Sequence, residues 1–221
     1  MSDPVVTGSA TTLLLIAVGA AGLCLGLLAE LLIRRILPQL AGTPSTPLRI
    51  TTAAVTFVLS ALLAWRFGAS PELAAYLVLV VTGVQLSRID VVHHLLPDRL
   101  VLPLLGAGLV LLTVSAGAHG ASENLLRGVA GAVILFALYL FMALTSRNGL
   151  GMGDVKLAAP LGLYLGYLGW SQLFYGAALG FVAGGIAALV LVLKNRGNKP
   201  QEVAYGPSML AAGLAAILLL P

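Results

Sequence analysis

Two acids and a cluster of glycines carry the chemical potential of this chain. Asp154 lies in Gly149-Leu150-Gly151-Met152-Gly153-Asp154-Val155-Lys156-Leu157, with Lys156 two residues on, where a glycine-rich turn meets a hydrophobic run. Asp90 stands at the end of an earlier hydrophobic run. The intervening sequence can return the chain to the same membrane surface, which would bring the two acids together. Two carboxyl groups a few ångströms apart cannot both ionise cheaply, so they share one proton. The ionised partner can then take a proton from a water that attacks a peptide carbonyl. The protonated partner donates to that carbonyl oxygen, and later a proton reaches the leaving amine. That is the chemistry of an aspartic hydrolase at a membrane edge.

Each acid also has a plainer reading. Asp154 can cap the run that follows it by accepting hydrogen bonds from the first N–H groups of a helix. Asp98 fits that role better, because Pro97-Asp98 precedes the apolar run starting at Leu100. Asp90 closes a helix, where the macrodipole disfavours a negative charge, so its position calls for another reason. Gly151 and Gly153 would let the backbone turn sharply and leave room for a substrate strand beside Asp154. Lys156 can tune the acids electrostatically, or simply be an interfacial lysine that sets orientation.

The elements that must position these residues are membrane helices. The chain is 59% hydrophobic and only 9% charged, with a mean hydropathy of +1.03. Soluble domains carry roughly 25% charged residues, and apolar runs of about 20 residues recur from end to end. The expected fold is an all-α, polytopic transmembrane bundle of about eight spans, forming a single membrane-embedded domain over residues 1–221. The spans fall near Ser9–Ile36, Ile50–Phe67, Glu72–Leu86, Leu100–Ser115, Leu125–Thr145, Val155–Gly169, Gln172–Leu193 and Tyr205–Leu220. The third, fourth and sixth are short for a hydrocarbon core of about 30 Å. Met-Ser-Asp-Pro at the start lacks a basic signal-peptide region, so the first run is expected to persist as a span.

Charge counting orients the chain. With the N-terminus outside, the inner side holds Arg34, Arg35, Arg49, Arg88, Arg99, Arg147, Lys156, Lys194, Arg196 and Lys199, and the outer side only Arg66 and Arg127. This positive-inside bias puts Asp90, Asp98 and Asp154 at the cytoplasmic face. The net charge of +4 therefore reports orientation and does not point to nucleic acid. Gly22/Gly26, Gly162/Gly166 and Gly176/Gly180/Gly184 are small-xxx-small patterns suited to close helix contact.

Other motifs fail. Cys24 is the single cysteine, which excludes a disulfide within the monomer and a cysteine-rich zinc site. Gly149-x-Gly151-x-Gly153 lacks the GK[ST] ending of a phosphate loop. His93 and His94 are adjacent, so on a helix they point about 100° apart, and no HExxH exists; a solvated loop suits them better. Ser208 has no GxSxG context. No metal and no cofactor are expected.

At these residues the sequence resembles the type IV prepilin peptidases, a family of membrane aspartic peptidases. Ile89-Asp90 with Leu96-Pro97-Asp98-Arg99-Leu100-Val101-Leu102-Pro103 looks like the family's first block, an acid followed by an (I/L)PD-x-LTLP segment. Gly151-Met152-Gly153-Asp154-Val155-Lys156-Leu157 matches the GxGDxKL block, and Ala204-Tyr205-Gly206-Pro207 resembles the late (P/A)FGP segment. The resemblance implies Asp90 and Asp154 as the catalytic pair, in preference to Asp98. It implies cleavage of basic leader peptides from prepilins or pseudopilins at the cytoplasmic face of the inner membrane. Many relatives carry a cytoplasmic domain with two CxxC pairs, associated with methylating the new N-terminus. Here the corresponding loop, about Leu37–Arg49, contains no cysteine, so peptidase activity without methyl transfer is expected. The rival readings are a proton- or cation-coupled transporter using the same acids, and a non-catalytic membrane assembly factor.

Overall fold

The computed structural model describes residues 4–37, 46–145, 151–194 and 204–221. The described residues form eight helices and no strands: α1 Pro4–Ile36, α2 Thr46–Phe67, α3 Glu72–His93, α4 Asp98–His119, α5 Ser122–Thr145, α6 Met152–Leu168, α7 Trp170–Lys194 and α8 Gly206–Leu219. Every hydrophobic run expected to span has become a helix. In lipid no water is present to satisfy backbone groups, so an apolar run must bond within itself. Among the described residues, α1 to α5 each hold a stretch long and apolar enough to cross a membrane. The protein is a multi-pass, all-helical membrane protein.

α3 and α4 outrun the hydropathy reading most. α3 continues past Leu86 to His93, and α4 begins at Asp98 and ends at His119. Both have 22 residues, so neither is short. Arg88 and Asp90 interrupt the apolar run of α3 without interrupting its helix. Of the three spans expected to be short only α6 is, at 17 residues or about 25 Å, and α8 is shorter still at 14 residues.

The chain divides into two compact units, Met1–Gln85 and Leu86–Pro221. In the first, α1 lies against α2 along a line of glycines. A Cβ on Gly19 would fall 2.9 Å from the Phe57 ring, and one on Gly26 would fall 3.3 Å from the Thr56 methyl. Gly22 meets Ser60 even more tightly. The expected Gly22/Gly26 packing stripe is thus in use. Glu30 is buried on α1 and accepts from Arg34 at 2.6 Å and from Arg49 at 3.2 Å, so a costly buried charge is compensated.

The second unit is built around α6. This helix is apolar on all sides, and α4, α5, α7 and α8 all pack against it. Nearly every residue from Asp154 to Tyr167 is buried, as expected for a helix without a polar face. Glycine sets its distance from α5: a Cβ on Gly166 would lie 2.8 Å from the Arg127 carbonyl oxygen, and one on Gly131 would lie 2.5 Å from that of Gly162. The sequence showed the Gly162/Gly166 half of this contact. Its partners, Gly128 and Gly131, complete it from α5. Of the third stripe, Gly176 and Gly184 are pressed by Leu165 and Tyr205, while Gly180 has ordinary room.

Candidate active site

α6 begins at a buried acid. Gly151 is its N-cap, Asp154 is the third residue of the first turn, and the Asp154 side chain reaches back so that the Gly151 N–H donates to Oδ2 at 3.3 Å. The capping expected of this acid is therefore real, and it uses only one of two carboxylate oxygens. Asp154 is 8% exposed.

Asp90 arrives from the last turn of α3 and is 5% exposed. Its Oδ2 accepts the backbone N–H of Gly206, the first residue of α8, at 3.0 Å. One leucine lies against the approaches to both acids. A Cβ on Gly153 would fall 2.9 Å from Leu96 Cβ, and a Cβ on Gly206 would fall 3.3 Å from both Leu96 methyls. The two carboxyls lie within electrostatic reach: the Asp90 charge bears directly on Asp154. Asp90 and Asp154, 64 residues apart in the chain, thus share one buried locality.

Two tyrosines border it. Asp154 also acts electrostatically on the hydroxyls of Tyr139 and Tyr205. Tyr139 on α5 is buried and stacks on Phe181 of α7, with centroids 4.8 Å apart. The Tyr205 hydroxyl donates to the Phe181 carbonyl at 3.3 Å. Tyr139 did not stand out in the sequence, where it looks like one more aromatic in a hydrophobic run, whereas Tyr205 belongs to the Ala204–Pro207 segment picked out by resemblance.

Asp98 has a different position from the one expected. The N-cap of α4 is Pro97, and no side chain caps that end. Asp98 is exposed and bonds Lys156 through both oxygens, at 2.8 and 2.7 Å. The reason is geometric: Asp98 is already inside the first turn of α4, beside the first turn of α6. Lys156 therefore ties two helix starts together. The glycines need correcting too. Gly151 has φ −71°, an angle open to any residue, so no turn demands glycine there. Gly153 is required by the close approach of Leu96. Gly149 lies outside the described residues.

His93 ends α3 and His94 is exposed just beyond it, with φ 50°. Ser208 donates to the Tyr205 carbonyl at 2.6 Å, a local bond at the start of α8. Among the described residues no group of three or more His, Cys, Asp or Glu side chains could hold a metal ion.

Comparison with known proteins decides the family. Residues 77–189 match the Peptidase_A24 family, described as the type IV leader peptidase family. The chain belongs to the type IV leader peptidase family. The matched stretch contains Asp90, Asp98 and the whole Gly151–Lys156 block, whereas Ala204–Pro207 lies beyond it. The "Prepilin leader peptidase/N-methyltransferase" of Stutzerimonas stutzeri is 37% identical over 163 residues, covering 73% of this chain and 55% of that protein. The proteins of the same name from Pseudomonas aeruginosa and Neisseria gonorrhoeae are 34% and 33% identical, covering 74% and 72% of this chain and 55% and 53% of theirs. The chain thus spans about half the length of the curated relatives it matches. No solved structure matches it.

Proposed function

We propose that this chain is an integral membrane aspartic endopeptidase that removes leader peptides from type IV prepilins or pseudopilins. The observation that carries this reading is the pair of buried acids on α3 and α6, each held through Oδ2 by a backbone N–H. Membership of the leader peptidase family supports the same reading.

Asp90 and Asp154 act as one unit and share a proton. The ionised carboxyl activates water against the scissile carbonyl, and the protonated one donates to the carbonyl oxygen as the tetrahedral intermediate forms. As the C–N bond breaks, the leaving amine takes a proton from the pair and a hydroxyl of the tetrahedral intermediate returns one to it, which restores the starting state. Burial excludes competing water and strengthens every charge interaction within the site. Gly153 supports Asp154 by letting Leu96 close in, and the Asp98–Lys156 pair fixes the two helix starts beside it. The substrate's own apolar segment lies in the bilayer, presenting its scissile bond at the membrane surface.

The whole chain works as a single membrane-embedded peptidase with its N-terminus outside, in the cytoplasmic membrane, with the acids facing the cytoplasm. Ten of twelve basic residues on the inner side of this topology support it. Methyl transfer is not part of the proposal, since the loop between α1 and α2 carries no cysteine.

Asp90→Asn and Asp154→Asn variants, reconstituted in vesicles with a prepilin, test the reading by mass-mapping the products. Each should abolish leader cleavage while inserting and melting as the parent does. Normal processing by either variant rejects the dyad and favours a non-catalytic or ion-handling role for the same acids.

A further inference from the structure

Asp90 sits where a helix least favours an anion, in the last turn of α3. The start of α8 supplies the compensation. The first N–H groups of a helix have no partner within it, and the α8 N-cap, Tyr205, offers no side-chain acceptor. The Gly206 N–H instead donates to Asp90 Oδ2, 116 residues away in sequence, in a buried bond of 3.0 Å. The positive end of α8 thus faces the acid at the negative end of α3.

We propose that Gly206 is a positioning residue: its N–H holds Asp90 by Oδ2 and leaves Oδ1 as the oxygen that works on water. The inference rests on the peptidase reading above and names a further part of the same site. A donated N–H stabilises negative charge on the oxygen it reaches, which biases the shared proton toward the other oxygen. Gly151 does the equivalent for Asp154, donating to its Oδ2 at 3.3 Å. With each Oδ2 engaged by a glycine N–H, the shared proton and the attacking water fall to the two Oδ1 atoms.

The two anchors differ in one respect. The Gly151 bond is local, spanning three residues, and Asp154 would keep its place through α6 alone. The Gly206 bond joins two distant helices and has no such reserve. Space is also tight there: a Cβ would stand 2.8 Å from Asp90 Oδ2 and 3.3 Å from both Leu96 methyls, so the carboxylate is the group that must give. Alanine at 206 must therefore push the carboxylate out of register.

Two full-length variants test this in vesicles with a prepilin substrate. Gly206→Ala adds the Cβ, and an amide-to-ester exchange at position 206 deletes the N–H without adding bulk. A misplacement of about 1 Å costs roughly 100-fold in rate, so kcat should fall by about that factor in both. KM should stay within about twofold, because substrate binding is not what the bond serves. Thermal stability should remain near the parent's. The ester decides if the alanine variant fails to fold. Wild-type kcat in the ester overturns the proposal, as does a fall in rate that only tracks a loss of folded protein. Asp90→Asn and Asp154→Asn separate the two levels. If they are inactive while the ester is unaffected, only the positioning role falls; if they cleave normally, the peptidase reading falls with it.

Discussion

The two ends of α6 handle buried polarity in opposite ways. At its C-terminal end the carbonyls of Gly166, Tyr167 and Leu168 all accept from one residue, Arg127, which donates at 2.8, 2.8 and 3.0 Å. Asn124 takes a further bond from the same guanidinium. A cation at a helix C-terminus is also favoured by the dipole. At the N-terminal end two acids are buried within electrostatic reach of each other, and no cation bonds to either carboxylate among the bonds described. Lys156 is close in sequence yet engages Asp98. The last carbonyls of α6 are matched by donors. Polarity left in mutual conflict points to chemistry, because strained ionisations collect at functional sites.

The widest separation between the ends should come from neutralising each in turn. Asp154→Asn is expected to eliminate turnover with no loss of stability, since it relieves a repulsion between carboxyls. Arg127→Met should do the reverse, because it orphans three carbonyls. Leaving buried acceptors unsatisfied costs about 1–3 kcal/mol, with cleavage per folded molecule unchanged. Parallel denaturant titrations and initial rates measure both. An Arg127→Met protein that is stable but inactive would break the contrast.

Between the ends, α6 packs mainly by shape, with the Tyr164 hydroxyl donating to the Leu104 carbonyl of α4 at 3.4 Å. Gly162→Ala sets a Cβ against the backbone of Gly131 and Ala132 on α5, and backbone cannot swing aside as a side chain can. Overpacking of this kind costs about 1–3 kcal/mol, offset in part by the better helix propensity of alanine. The same titration should show a smaller loss than Arg127→Met, and the activity of the folded fraction should persist. A stabilised Gly162→Ala protein would show that α5 and α6 can move apart freely.

Much of this was legible in the sequence, for reasons that differ by element. Eight helices followed from eight apolar runs because lipid leaves the backbone no alternative. The ends of α3 and α4 did not follow, since Arg88, Asp90 and Asp98 lower hydropathy while leaving the helix intact. Asp90 and Asp154 stood out as acids at the edges of apolar runs. The anchor on Asp90 was hidden because a backbone N–H leaves no residue-type signal; only the Gly206-Pro207 start of a helix hinted at free donors. Arg127 was counted merely as an outer charge. Its bonds reach 39 to 41 residues along the chain, and periodicity does not report contacts that distant.

The smallest effect tests where the chemistry stops. Lys156 and Asp98 form a two-oxygen ion pair beside the acids, with side chains 38% and 52% exposed. Exposed pairs contribute about 0–1 kcal/mol because water screens them and ordering two long side chains opposes them. Lys156→Met, Asp98→Asn and the double variant should each lose less than about 1 kcal/mol. The double variant should be no worse than the singles, since all three remove one interaction. Cleavage should slow modestly and equally in the three, because what is lost is the tie between the starts of α4 and α6. If Lys156→Met were as inactive as Asp154→Asn while Asp98→Asn worked normally, the lysine would belong with the acids, and the boundary between scaffold and chemistry would lie one helical turn further along α6.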